Sequence, residues 1–152
     1  MKLSLLLKPE QVFLGIPAHT REEVLVHVAE RLARVGAVKR SEDLVDLLLE
    51  RERLGATVVG EGVAVPHCKV PGLKSIVVAF ARTREPVPFG GEGAEAGLFF
   101  FVLSPREQPA AHLQVLANIA RLLRNPQARR WFAEADDADE LLAALARQES
   151  TT

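Results

Sequence analysis

Leu98-Phe99-Phe100-Phe101-Val102-Leu103 is an uninterrupted apolar run that stops at Ser104-Pro105. A strand whose residues are apolar at every position, not at alternate ones, must be covered on both faces. Ile76-Val77-Val78-Ala79-Phe80-Ala81 reads the same way, and Pro86, Pro88, Gly90 and Gly91 break the chain between the two runs. Between Thr57 and Val65, two short β-branched stretches flank Gly60-Glu61-Gly62, the pattern of a hairpin. Two buried strands together with a hairpin require a mixed sheet with helices packed on each side.

The helices are present on both sides of these strands in the sequence. Thr20-Arg21-Glu22-Glu23 has the form of a capping box ahead of Val24, Val28, Leu32 and Val35, and Gly36 supplies a stop. Ser41 is placed to cap a second helix through Leu44, Leu47 and Leu48 to about Arg51. A third starts near Pro109, carries Leu113, Leu116, Ile119, Ala120 and Leu123, and ends at Asn125-Pro126. A short helix over 129–133 turns Trp131 and Phe132 inward. Asp137 caps a last helix, from Ala138 to about Arg147. The expectation is one domain over residues 1–152, an α/β three-layer sandwich with a mixed β-sheet flanked by helices on both faces.

Composition narrows the function classes. Nineteen Lys and Arg balance 20 Asp and Glu, a formal net charge of −1. A nucleic-acid binder would carry a basic excess. The single cysteine, Cys68, cannot form an internal disulfide. The apolar stretch from Leu3 to Leu7 is too short for a signal peptide or a membrane span. These features lead to the expectation of a cytoplasmic protein without membrane insertion.

The chemistry centres on Val63-Ala64-Val65-Pro66-His67-Cys68-Lys69. Histidine is a good nucleophile that is largely neutral near pH 7, and His67 stands where an apolar strand ends at a proline. Arg51, at the end of the second helix, offers a planar fork matched to phosphate oxygens, although a solvated helix-end arginine reads equally well. His112 falls in the first turn of the third helix, where free N–H groups favour an anion; taken alone, it reads more readily as an ordinary surface histidine. Together the three suit phosphoryl transfer, which asks mainly for positioning and charge compensation. Metal binding is the rival use of His67, Cys68 and His112. Against it, adjacent residues of an extended chain point to opposite sides, and no carboxylate partner is evident. No phosphate-cradling glycine loop with Lys and Ser/Thr is present, and a Cys68 nucleophile lacks a third member.

The stretch Arg51-Glu52-Arg53-Leu54-Gly55-Ala56-Thr57-Val58-Val59-Gly60-Glu61-Gly62-Val63-Ala64-Val65-Pro66-His67 resembles the signature of the fructose/mannitol-type enzyme IIA domains of the bacterial phosphoenolpyruvate-dependent sugar phosphotransferase system, whose nitrogen-regulatory branch shares the domain. His112-Leu113-Gln114-Val115-Leu116-Ala117-Asn118-Ile119-Ala120-Arg121-Leu122-Leu123 resembles its second motif. The similarity runs from about residue 3 to residue 147. It implies a mannitol-type enzyme IIA fold and a phosphotransferase whose His67 accepts phosphate from phospho-HPr and passes it to a cysteine of an enzyme IIB of a sugar permease. His112 matches the second active-site histidine and Arg51 the active-site arginine; no cofactor or metal is implied. The alternative is a regulatory protein that binds partners according to its phosphorylation state. Neither an enzyme IIB nor an HPr nor a membrane domain is expected within these residues, and this length suits either role. Four positions depart from the pattern: Ala56 for serine, Val58 for glycine, Glu61 for asparagine and Cys68 for glycine. The last would make the site oxidisable if its thiol were exposed. Val58, Val65 and Val70 are candidates for an apolar docking surface, and equally for core.

Overall fold

The structure, a computed structural model, describes residues 2–91 and 93–150. Helix α1 (Leu3–Leu6) and a 3-10 turn (Pro9–Gln11) lead into β1 (Val12–Ile16), α2 (Arg21–Arg34) and α3 (Ser41–Arg53). Next come β2 (Val58–Gly60), β3 (Val63–Ala64), β4 (His67–Lys69), β5 (Val77–Pro88) and β6 (Glu95–Ser104). Helices α4 (Pro109–Leu123), α5 (Pro126–Glu134) and α6 (Ala138–Ser150) follow.

The strands form one sheet in the order β1-β5-β6-β3-β2, with β4 also paired to β6. β5 and β6 run antiparallel, whereas β3 and β4 are both parallel to β6, and β1 is parallel to β5. The sheet is therefore mixed, as the hairpin required. Side-chain alternation divides the apolar run of β6 between two cores. Phe99, Phe101 and Leu103 pack with Val24, Leu25, Val28 and Leu32 of α2 and with Leu44 and Leu48 of α3. Phe100 and Val102 pack with Val115 and Ile119 of α4, Phe132 of α5 and Leu141 of α6. On that second face the rings of Phe80, Phe100 and Phe132 meet pairwise in tilted and edge-on contacts, with centroids 5.0, 4.9 and 4.8 Å apart. The three-layer α/β sandwich follows directly from an alternation that is apolar on both faces.

Helix ends obey local rules. The Glu23 N–H donates to Thr20 Oγ1 at 3.1 Å, while the Glu23 carboxylate accepts from the His19 N–H at 2.9 Å. Gly36, at φ +80°, closes α2 with the Ala37 N–H donating to the Leu32 carbonyl, the six-to-one bond of a glycine C-cap. Asn125 and Asp137 cap α5 and α6 through Gln127 N–H and Glu140 N–H. Ser41 departs from expectation. It is the first residue inside α3, and its hydroxyl donates to the Glu42 carboxylate, leaving Arg40 at the cap position.

Three strand features escape the sequence pattern. β1, an edge strand of five residues, gives too short a signal to stand out. β5 continues through Pro86 to Pro88, because its pairing with β6 shifts register between Arg82 and Val87 and so needs no donor at the proline. His67 does not end a strand; it opens β4, which resumes beside β6 after Pro66. No helix among the described residues is long and apolar enough to cross a membrane.

The β2–β3 turn places Gly60, Glu61 and Gly62 at φ +99°, +56° and +74°. Glu61 is thus a side-chain-bearing residue held in the left-handed region, which asparagine tolerates better. Replacement Glu61→Asn is expected to raise stability by about 0.5–1 kcal/mol in urea unfolding, with no change in slope.

Candidate functional site

A chain of hydrogen bonds positions His67. The buried Glu52 carboxylate, at the end of α3, accepts from both the Thr57 N–H (3.2 Å) and the Thr57 hydroxyl (2.6 Å). The Thr57 carbonyl accepts from the Val65 N–H at 2.9 Å. The Val65 carbonyl in turn lies 2.7 Å from His67 Nδ1. A carbonyl can only accept, so Nδ1 carries a proton, and in the neutral ring the lone pair is on Nε2. No hydrogen bond engages Nε2 among the described residues. The strand ladder fixes the backbone as well: His67 is registered against Val102, whose N–H donates to the Pro66 carbonyl at 3.0 Å.

His112 arrives from the other direction. Pro109 opens α4, and the His112 N–H donates to the Gln108 carbonyl at 3.1 Å. The side chain is buried, with Nδ1 2.6 Å from Ser104 Oγ. The two imidazoles face each other with centroids 5.5 Å apart and planes inclined by 51°. Burial, then the charges of His67 and Lys69, hold the His112 imidazole below its ordinary value of 6.5. It is neutral at physiological pH. Its contribution to folding stability is complete above the ordinary value and is lost as the pH falls from there through the lowered folded value.

The structure brings His67 and His112 into ring contact, and Arg51 stands at the end of α3. The Arg51 guanidinium donates to the Gly55 carbonyl at 2.9 Å, four residues on, and no hydrogen bond among the described residues links it to either imidazole. It closes the turn that carries the chain from α3 to the hairpin, beside the Glu52–Thr57 clamp. Cys68 belongs to the other side of the sheet. It is buried with Leu44, Leu48 and Leu103 in the core under α2 and α3, and burial pushes its thiol up to about 12. The condition for an oxidisable site, an exposed thiol, is not met. Among the described residues no three of His, Cys, Asp and Glu gather closely enough to hold a metal ion.

The valines also need correction as a docking surface. Val65 is buried in the α4–α6 core, and Val58 and Val70 pack half-buried against the other core. The exposed large apolar residues are Leu54, Val59 and Leu113 at 79%, 61% and 66% exposure, along with Leu5 and Val35. Leu113 follows His112, and Leu54 and Val59 flank the Glu52–Thr57 clamp.

Sequence reasoning missed Ser104, Lys69, Thr57 and Glu52 as neighbours of the site. Ser104 had one visible mark, a polar residue closing a wholly apolar run. Lys69 lies two residues after His67 and so shares its strand face. Glu52 looked like one more charge in a charged helix end.

Two measurements check this geometry. The titration midpoint of His112 by NMR should lie below 6.5, and Lys69→Gln should raise it, because one of the positive charges opposing protonation is gone. Thr57→Val leaves the buried Glu52 carboxylate without a hydroxyl donor and should cost about 1–3 kcal/mol in denaturant unfolding.

The comparisons with known proteins agree with this fold. The family model "Phosphoenolpyruvate-dependent sugar phosphotransferase system, EIIA 2" matches residues 5–148. A nitrogen regulatory protein from Bradyrhizobium diazoefficiens is 34% identical over 152 residues, covering 99% of each chain. The crystal structure of the nitrogen regulatory protein IIA-Ntr from Neisseria meningitidis superposes with a TM-score of 0.86 at 30% identity, over 94% of this chain and 98% of that one. Enzyme IIA-mannitol of Escherichia coli, in its complex with phosphorylated enzyme IIB-mannitol, gives a TM-score of 0.76 at 30% identity, over 93% and 99%. With its fold and nearly its whole length matched, this chain belongs to the EIIA 2 family of the phosphoenolpyruvate-dependent sugar phosphotransferase system.

Proposed function

We propose that residues 1–152 act as a single cytoplasmic phosphoryl-carrier domain in which His67 Nε2 is the acceptor. The observation that carries this reading is the 2.7 Å contact of His67 Nδ1 with the Val65 carbonyl, which leaves Nε2 as the nucleophilic nitrogen opposite a second buried histidine. The Nε2 lone pair attacks phosphorus in line, and the bond from phosphorus to the donor's imidazole nitrogen breaks with its electron pair returning to that nitrogen. HPr is the phosphohistidine donor this requires. In the second step a thiolate of an enzyme IIB attacks the same phosphorus and His67 recovers its lone pair. His112 stabilises the phosphoryl oxygens during both transfers. Arg51 adds a fixed positive charge at the end of α3. Leu54, Val59 and Leu113 form the apolar ground on which HPr and enzyme IIB alternate.

The choice of an enzyme IIB as partner is supported by the Escherichia coli relative, which was determined in complex with a phosphorylated enzyme IIB. A second reading is favoured by the relative from Bradyrhizobium, a nitrogen regulatory protein matched end to end. In that reading the phosphoryl group is a signal. Its two negative charges beside half-buried His67 alter which partner can desolvate the surrounding apolar surface.

Incubation with phosphoenolpyruvate, enzyme I and HPr should add one acid-labile phosphoryl mass to the wild type and none to His67→Ala. His112→Ala should be phosphorylated on the order of 100-fold more slowly, the loss expected for one preorganised donor. Unaltered phosphorylation of His67→Ala defeats the assignment. Transfer onward to a cysteine of an enzyme IIB distinguishes transport from signalling, for which the readout is a partner whose affinity differs between the two phosphorylation states.

A further inference from the structure

Ser104 closes β6 as a polar residue in a strand end that is otherwise apolar, and it is completely buried. Alternation along β6 puts its side chain on the same face as Phe100 and Val102, towards α4. Its carbonyl is occupied by the Val70 N–H at 2.8 Å. Among the described residues its hydroxyl has one partner, His112 Nδ1 at 2.6 Å.

That contact can be made in two ways. If Nδ1–H donates, the serine O–H is left buried with no acceptor and bears its full desolvation penalty. If the serine donates, its hydrogen is satisfied, Nδ1 accepts, and the imidazole proton sits on Nε2. The second arrangement leaves no buried hydrogen unmatched.

We infer that Ser104 is a positioning residue that holds His112 in its Nε2–H tautomer, so that a neutral imidazole presents a hydrogen-bond donor to the anion carried on His67. The two histidines thus take opposite tautomers from opposite partners. A carbonyl beside His67 Nδ1 keeps the proton there and frees the Nε2 lone pair. A hydroxyl beside His112 Nδ1 does the reverse. In the other tautomer His112 would turn a lone pair towards the phosphoryl oxygens and repel them. The low basicity of His112 makes the point matter, because an imidazolium would donate from both nitrogens whatever stood beside Nδ1.

The kinetic consequence rests on the carrier reading; the tautomer does not. Long-range proton–nitrogen NMR of the unphosphorylated ¹⁵N-labelled protein, well above the His112 titration, reads each ring directly. The wild type should show His112 protonated at Nε2 and His67 at Nδ1. In Ser104→Ala the His112 Nδ1 resonance should leave its hydrogen-bonded position and the Nδ1–H form should become populated, while Ser104→Thr restores the wild-type pattern. Phosphorylation of Ser104→Ala by phospho-HPr should slow on the order of tenfold, as for one lost neutral hydrogen bond, and Ser104→Thr should recover it. In a His112→Ala background the Ser104→Ala change should have no further effect. A wild-type His112 protonated at Nδ1, or a Nδ1 resonance unmoved in Ser104→Ala, overturns the inference. So does an equal slowing in both backgrounds. If Ser104→Ala does not fold, the wild-type spectrum alone decides. If the wild type takes no phosphoryl group, the carrier reading falls and the tautomer is still decided by the spectrum.

Discussion

The pairing of β6 on both its edges is the constraint from which the rest of the molecule follows. β5 runs antiparallel along one edge, and β3 and β4 share the other. Because the strand is apolar at consecutive positions, it demands a helical layer on each face, and α2–α3 and α4–α6 supply them. The same ladder places the chemistry. Val102 registers His67 and Ser104 registers Lys69, while Pro105 turns the chain towards α4, which returns His112 over the sheet. Two histidines 45 residues apart meet because both are tied to the last residues of one strand.

Around that strand, the surroundings of the two histidines differ in the hydrogen-bond character of their neighbours. His67 and His112 are chemically identical side chains with 5.5 Å between their rings. A backbone carbonyl beside one and a buried hydroxyl beside the other give the two rings different hydrogen-bond partners. Burial strengthens both effects, since neither partner competes with water and an unmatched proton is costly there. Glu52 extends the same logic into the helical layer. Its carboxylate anchors Thr57, which anchors Val65, whose carbonyl orients His67.

Leu54, Val59 and Leu113 are exposed apolar residues, and Leu113 directly follows His112 in the chain. In the proposed function such residues offer a partner apolar area to cover. In the proposed function, a dianion on His67 changes the electrostatics met by a partner and leaves that apolar contribution intact. Transport and regulation therefore draw on the same physical change, and differ only in whether the next partner removes the phosphoryl group or senses it.

Much of this was legible in the chain. Helix starts and stops follow from Thr20, Gly36, Asn125 and Asp137 through bonds that span a few residues, and the two-faced burial of the strands follows from unbroken apolar runs. His67 and His112 stood out because an imidazole after a strand proline and another in a first helical turn are legible from residue order. Local sequence by itself determined most of the elements, the layers and the candidate nucleophile. It did not place β1, carry β5 through Pro86, show on which face Cys68 lies, or show that the Arg51 guanidinium donates to the Gly55 carbonyl. Nor did it reveal Ser104 as the partner of His112 or the Val65 carbonyl as the partner of His67. Those depend on strand register and on which donor meets which acceptor once water is excluded, and only the tertiary structure decides that, because a buried proton takes its place from the atom across from it rather than from its neighbours along the chain.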